Sequence, residues 1–150
     1  MALGEREREE FLAGNHVASL AVERGAGRGP LTVPIWYWYE PGGEVRVITG
    51  ADSVKARLIS AAGRFSLLVQ RTAPTYLYVS VDGPLVSTAP TTVADMVTEA
   101  SRYLDAEGVD DYVSGSGVTD TDPAGLLTLT MHPEHWLSAD LGWGPHEPSS

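Results

Sequence analysis

The spacing of apolar residues along the chain changes several times. Glu5 to Ala13 is charged along its exposed side, gathers Phe11 and Leu12 at its end and meets Gly14-Asn15, which predicts a short helix. From His16 to Glu23 the apolar positions Val17, Leu20 and Val22 sit among small residues, and the pattern becomes that of a strand. Gly25 to Pro30 reads as a loose turn before a second strand, Leu31 to Tyr39, which ends in the aromatic run Ile35-Trp36-Tyr37-Trp38-Tyr39. Pro41-Gly42-Gly43 predicts a tight reversal into Glu44 to Thr49, so these two strands are expected to pair as a hairpin. Pro34 lies inside the second strand with no N–H for a ladder, which marks an edge, a bulge or a backbone reserved for a ligand.

Helical spacing returns at Ser53 to Ala62. Val54, Leu58, Ile59 and Ala62 share a stripe, with Ser53 as N-cap and Gly63 as the stop. Arg64 to Arg71 and Thr75 to Ser87 predict two further strands joined across Thr72-Ala73-Pro74. In the second, Tyr76, Tyr78 and Ser80 alternate against Leu77, Val79 and Val81. Ala89 to Thr92 opens another helix, striped by Val93, Met96, Val97, Ala100, Tyr103 and Leu104. Asp105 to Asp122, acidic and glycine-bearing, reads mostly as loop. Leu126 to Met131 reads as the last core strand, extended by His135 to Ala139, and Leu141 to Ser150 as a tail. The sum is a mainly β fold of about six antiparallel strands with flanking helices, which closes most readily as a β-barrel because closure removes exposed edges. No repeat or linker divides it, so residues 1–150 are expected to form one domain, frayed at 1–10 and 142–150.

Composition narrows the partners. A chain of 150 residues, 43% of them hydrophobic, can bury one core without staples. Its net charge of -10 opposes the counterion release that drives binding to a phosphate backbone, which argues against nucleic acid. Cysteine is absent, which removes disulfides, thiolate metal sites and thiol nucleophiles. The N-terminal stretch has no basic region followed by an apolar run, and no later window has the apolar length of a membrane span; the expectation is a cytoplasmic protein away from membranes. His132-Pro133-Glu134-His135 sets two imidazoles three apart with a proline between them and no third ligand in evidence, so no metal is expected. His16 opens a strand and His146 lies in the tail. There is no glycine-flanked nucleophile elbow and no strand-linked dinucleotide fingerprint.

Lys55 is the only lysine beside nine arginines. It lies in Thr49-Gly50-Ala51-Asp52-Ser53-Val54-Lys55-Ala56-Arg57, where a strand passes through a glycine turn into a helix. Free N–H groups and the positive dipole end favour an anion there, Thr49 and Ser53 can donate hydroxyl bonds, and Lys55 and Arg57 add charge. The same spacing equally fits an ordinary capped surface helix in which Asp52 pairs with Arg57 or Lys55.

From Phe11 to Gly142 the chain resembles the pyridoxamine 5'-phosphate oxidase-like split-barrel superfamily, which includes FMN-binding proteins and the flavin/deazaflavin oxidoreductases that use coenzyme F420. The matching pieces come in the family's order. His16 to Ala21 resembles the first barrel strand, Leu31 to Tyr37 the cofactor-side strand, and Thr49 to Leu58 the phosphate turn and its helix. Arg64 to Val69 and Tyr76 to Gly83 resemble the middle strands, and Leu126 to Thr130 with Pro133 to Trp136 the closing elements.

The resemblance implies a six-stranded antiparallel split barrel that forms a homodimer with sites at the interface. It implies that Thr49, Ser53, Lys55 and Arg57 hold the cofactor phosphate, and that the backbone around Val33, Pro34, Ile35 and Trp36 lies along the ring system. Tyr76 and Tyr78 would reach the cofactor held mainly by the partner subunit, whereas Trp38 and Tyr39 suit packing better. The implied function is an FMN- or F420-dependent oxidoreductase acting on a small organic substrate by hydride transfer, with no catalytic residue identified. The alternative is a non-catalytic FMN- or haem-binding protein on the same fold. The late helix, acidic loop and Trp136 region look most like the deazaflavin branch, for whose acidic tail Arg28, Arg46 and Arg71 are the spare cations. The true pyridoxamine oxidases are longer, with a substrate-binding C-terminal segment that has no match here. Two further departures are Gly63, where many relatives have an aspartate-proline-like turn, and Asp52, a negative charge near the proposed phosphate.

Overall fold

A computed structural model of the chain describes residues 1–142. The tail at 143–150, with His146, lies outside the described residues. In chain order the elements are α1 (Glu5–Leu12), β1 (Ala18–Val22), β2 (Leu31–Ile35), β3 (Val45–Gly50), α2 (Val54–Ala62), β4 (Arg64–Arg71), β5 (Leu77–Pro90), α3 (Val93–Ala100), α4 (Ala106–Ser116), β6 (Leu126–Met131) and β7 (His135–Asp140). Six strands run in the order β2-β1-β4-β5-β6-β3, every neighbouring pair antiparallel, and β7 lies off this path against β5. Alternation puts Leu20, Val47, Phe65, Leu67, Val69, Val79, Val81, Leu129 and Met131 inside, where Ile59 of α2 joins them. Among the described residues no helix is long and apolar enough to cross a membrane.

The long strand β5 belongs to both halves of the barrel. Leu77 to Asp82 pairs with β4 on one side and β7 on the other, and from Leu85 onward the β7 side passes to β6, with a bulge between Leu85 and Ser87. Gly83 sits at the handover. A Cβ placed there would lie 1.7 Å from the carbonyl oxygen of His132, so the turn from β6 into β7 crosses the backbone of β5 where no side chain can stand. This crossing makes His135–Asp140 a separate strand and not an extension of β6.

Other expectations also need correction. Asp105 to Asp122 is not mainly loop: Asp105 caps α4 by accepting the Gly108 N–H at 2.8 Å, and Val109 is buried. The helix α3 starts only after Thr92, whose capping box with Asp95 fixes its entry, and β5 continues through Pro90. Residues 1–10 are not frayed, since α1 is formed and the backbone of Met1 pairs with that of Asp140. The largest difference concerns the aromatic run. Instead of a hairpin of two long strands, β2 ends at Ile35, and the segment after it meets β3 at the single bridge between Trp38 and Arg46.

Candidate functional site

The chain after β2 is held on two sides. Trp38 exchanges both of its backbone hydrogen bonds with Arg46 of β3, at 3.0 Å each, so the backbone groups of Tyr37 face the other way, towards the end of β1: the Tyr37 N–H donates to the hydroxyl of Tyr103 at 3.2 Å, and the Tyr37 carbonyl lies 3.1 Å from the same hydroxyl. That hydroxyl has one proton, and its shorter contact is to the carbonyl of His16 at 2.7 Å. One side chain from the turn after α3 therefore bridges the ends of β1 and β2, where their register would next set His16 opposite Tyr37. Tyr37 and Tyr39 turn into the core, and Trp38 is buried beside them, the packing role expected for Trp38 and Tyr39. The strand β2 is left as an edge, which is where Pro34 is tolerated.

The parted strands leave a groove of about 390 Å³, lined by Val17, Pro34, Ile35, Trp36, Ile48, Glu99 and Tyr112. Trp36 stacks on Tyr103 with ring centres 4.5 Å apart and planes at 13°, and Tyr112 of α4 leans against it at 5.5 Å. Glu99, on α3, is 3% exposed and its Oε2 has no hydrogen-bond partner among the described residues. Burial pushes its carboxyl up to about 7; a hydrogen bond from the Ile48 backbone acts the other way, and the charge of Asp95 adds to the rise. The Tyr112 hydroxyl is raised by burial and by the nearby Glu99 charge.

Sequence reasoning missed Glu99. It lies three residues after Met96 and four before Tyr103, so the stripe that was read as purely apolar has an acid on its edge.

Of the expected ring-side segment, Pro34, Ile35 and Trp36 line the groove, while Val33 points into the core opposite Leu20. At the turn from β3 into α2, Thr49 Oγ1 and Ser53 Oγ lie 3.0 Å apart, and Ser53 caps the helix by accepting the Ala56 N–H at 3.1 Å. Thr49 is 5% exposed, and both hydroxyls are engaged with each other. The N–H groups of Val54 and Lys55 have no hydrogen-bond partner among the described residues. Nor do Asp52, Lys55 or Arg57 form an ion pair there.

Lys55 and Arg57 are not brought onto one face. Two residues apart on a helix they diverge by about 200°, and Arg57 lines a second groove with Ala56, Ser60, Leu85, Leu127 and Leu129.

Tyr76 and Tyr78 lie away from the groove within this chain, with β1 and β4 between. Tyr76 donates its hydroxyl to Gln70 at 2.8 Å, and Tyr78 stands opposite Gln70 on the outer face of β5. Among the described residues nothing covers that outer face. Pro34, Ser19, Leu68, Ser80 and Leu137 lie abreast across five strands, and Leu137 is 64% exposed.

The spare cations are scattered. Arg71 is bonded to Thr75, and Arg46 lines a small cleft with Trp38 and Glu44. His132 faces Glu44 and His135 faces Glu134; among the described residues no group of three or more histidines and acids is placed to hold a metal.

No family model matches the chain, and no curated protein matches it. Solved structures do. A conserved hypothetical protein of Mycobacterium tuberculosis is 21% identical with a TM-score of 0.74, over 100% of this chain and 94% of that one. An F420 reductase is 20% identical with a TM-score of 0.61, over 86% of this chain and 94% of its own. HutZ, the haem storage protein of Vibrio cholerae, is 17% identical with a TM-score of 0.62, over 96% and 98%.

Proposed function

On a chain with the split-barrel fold of the pyridoxamine 5'-phosphate oxidase-like proteins, we propose an oxidoreductase that binds FMN or coenzyme F420 in the split and acts on a small organic substrate. The observation that carries this reading is the groove itself. It opens where β2 and β3 part, its walls are flat and mostly apolar, and its volume lies in the range of small-molecule sites. The strand β3 that forms one wall runs directly into a helix start with two unpartnered N–H groups and a half-buried Lys55.

These residues fit a planar ring joined to a phosphate. The cofactor, when bound, supplies the hydride chemistry. Pro34, Ile35 and Trp36 orient the ring and exclude water from it. The first turn of α2 receives the phosphate, with Lys55 adding charge. Asp52 is exposed and without an ion-pair partner, so its charge is screened by solvent. The uncovered outer face of the sheet suits a homodimer contact, across which Tyr76 and Tyr78 of one protomer approach the groove of the other.

The test is a fluorescence titration with FMN and with F420, alongside Lys55→Ala and Arg57→Ala. Lys55→Ala should weaken binding about tenfold, as loss of a charge-assisted contact does. Arg57→Ala, on the far side of the helix, should change it less. Full affinity in Lys55→Ala would overturn the phosphate assignment.

The likeness to HutZ favours a second reading, a non-catalytic haem or flavin carrier. Among the described residues the groove has no histidine, cysteine or methionine on its walls to ligate a haem iron, which weighs toward the flavin or deazaflavin.

A further inference from the structure

All walls of the groove but one are apolar or aromatic. The exception is Glu99, whose buried Oε2 lacks a partner. An unpaired buried acceptor is costly, and the neighbouring groups do not relieve it. On its own helix, Asp95 is another acid, engaged with the Thr92 N–H and the Thr128 hydroxyl. After the helix, Tyr103 has its hydroxyl on backbone. From α4 comes Tyr112, from β3 the backbone N–H of Ile48, and from β2 and the residues flanking β1 and β2 come Val17, Pro34, Ile35 and Trp36. Among the described residues no lysine, arginine or histidine lines the groove.

Accepting the split as the ligand site, we propose that Glu99 selects a substrate bearing a cationic or strongly N–H-donating nitrogen, such as an amidine, an amine or a protonated nitrogen heterocycle. Three features converge on this chemistry. The unpartnered oxygen needs a donor. The aromatic surfaces of Trp36 and Tyr112 attract a cation through their quadrupoles. The chain's net charge of -10 draws cations toward it. A cation beside Glu99 reverses the effect of burial, so binding below neutral pH ionises the carboxyl and releases a proton to solvent.

The probes are benzamidine, benzamide and benzoate, similar in shape and differing in charge, added to protein carrying ¹³C at the glutamate carboxyls. Benzamidine should bind about tenfold or more tighter than benzamide, with benzoate weakest, as a charge-assisted pair requires. At slightly acidic pH benzamidine should move the Glu99 carboxyl signal to its ionised position. Glu99→Gln should lose the preference for benzamidine. Equal affinities, failure of benzamidine to bind, an unmoved Glu99 signal or a preference retained in Glu99→Gln would each overturn the proposal. Should Glu99→Gln not fold, the carboxyl signal of the unmutated protein decides. FMN and F420 titrated into the same proteins separate the two readings. Cofactor binding without the amidine preference removes only this inference, and the preference without cofactor binding removes only the cofactor assignment.

Discussion

The two flanks of this barrel solve the same problem, the pairing of backbone polar groups, in opposite ways. On the closed flank, β1, β4 and β5 form an unbroken ladder in which Arg64–Arg71 matches Leu77–Pro84 residue for residue. On the open flank, the segment after β2 keeps one bridge to β3, and a tyrosine hydroxyl from outside the sheet binds the backbone of Tyr37 and His16 where β1 and β2 come apart. The ladder leaves no room for a ligand. The side-chain solution pairs the Tyr37 N–H and the His16 carbonyl and leaves a cavity beside them, so the split is a bonded structure in its own right.

The largest expected effect lies on the closed flank. Gly83→Ala forces a methyl group into the His132 carbonyl, and a shift of the β6–β7 turn should cost about 4 kcal/mol or leave the protein unfolded. Urea denaturation measures this, and a cost below about 1 kcal/mol would show that the crossing relaxes easily.

The second prediction concerns the open flank. Glu99 has a folded value near 7 against an ordinary 4.5, so the native state holds its proton more tightly than the unfolded chain. The stability this confers is fully present below about pH 4.5 and is lost as pH rises through 7. Relative to Glu99→Gln, the wild-type protein should therefore lose up to about 3 kcal/mol between pH 4 and pH 8. A difference independent of pH would mean that the carboxyl is hydrated. The smallest effect is Tyr103→Phe, which keeps the stacking on Trp36 but removes the acceptor of the Tyr37 N–H. A loss of about 2 kcal/mol in denaturation is expected, and no loss would show that the ends of β1 and β2 can close on each other without it.

Much of the closed flank was legible in the sequence because its information is local. Alternation in Arg64–Arg71 and Leu77–Val81 reports which face is buried, and Ser53 and Gly63 delimit α2 by their own conformational preferences. The open flank was less legible because its information is distant. Pro41-Gly42-Gly43 is a sound reversal signal, yet the partner of Tyr37 lies 66 residues away in Tyr103. Gly108 and Gly115 disguise α4, which gains its stability by packing on α3. The strand His135–Asp140 was assigned to the wrong neighbour because nothing near Pro133 signals that Gly83 will lie beneath it. At the proposed phosphate turn, sequence proximity suggested that Lys55 and Arg57 act together, and helical geometry sends them apart.

The double service of β5 also bears on the order of assembly. Its pairing with β4 is a hairpin that closes a short loop, whereas β3 and β6 must find each other across about 80 residues, an entropic cost that grows with separation. The hairpin can form early and template the rest, and the strand pair that carries the Ile48 wall of the groove comes together late.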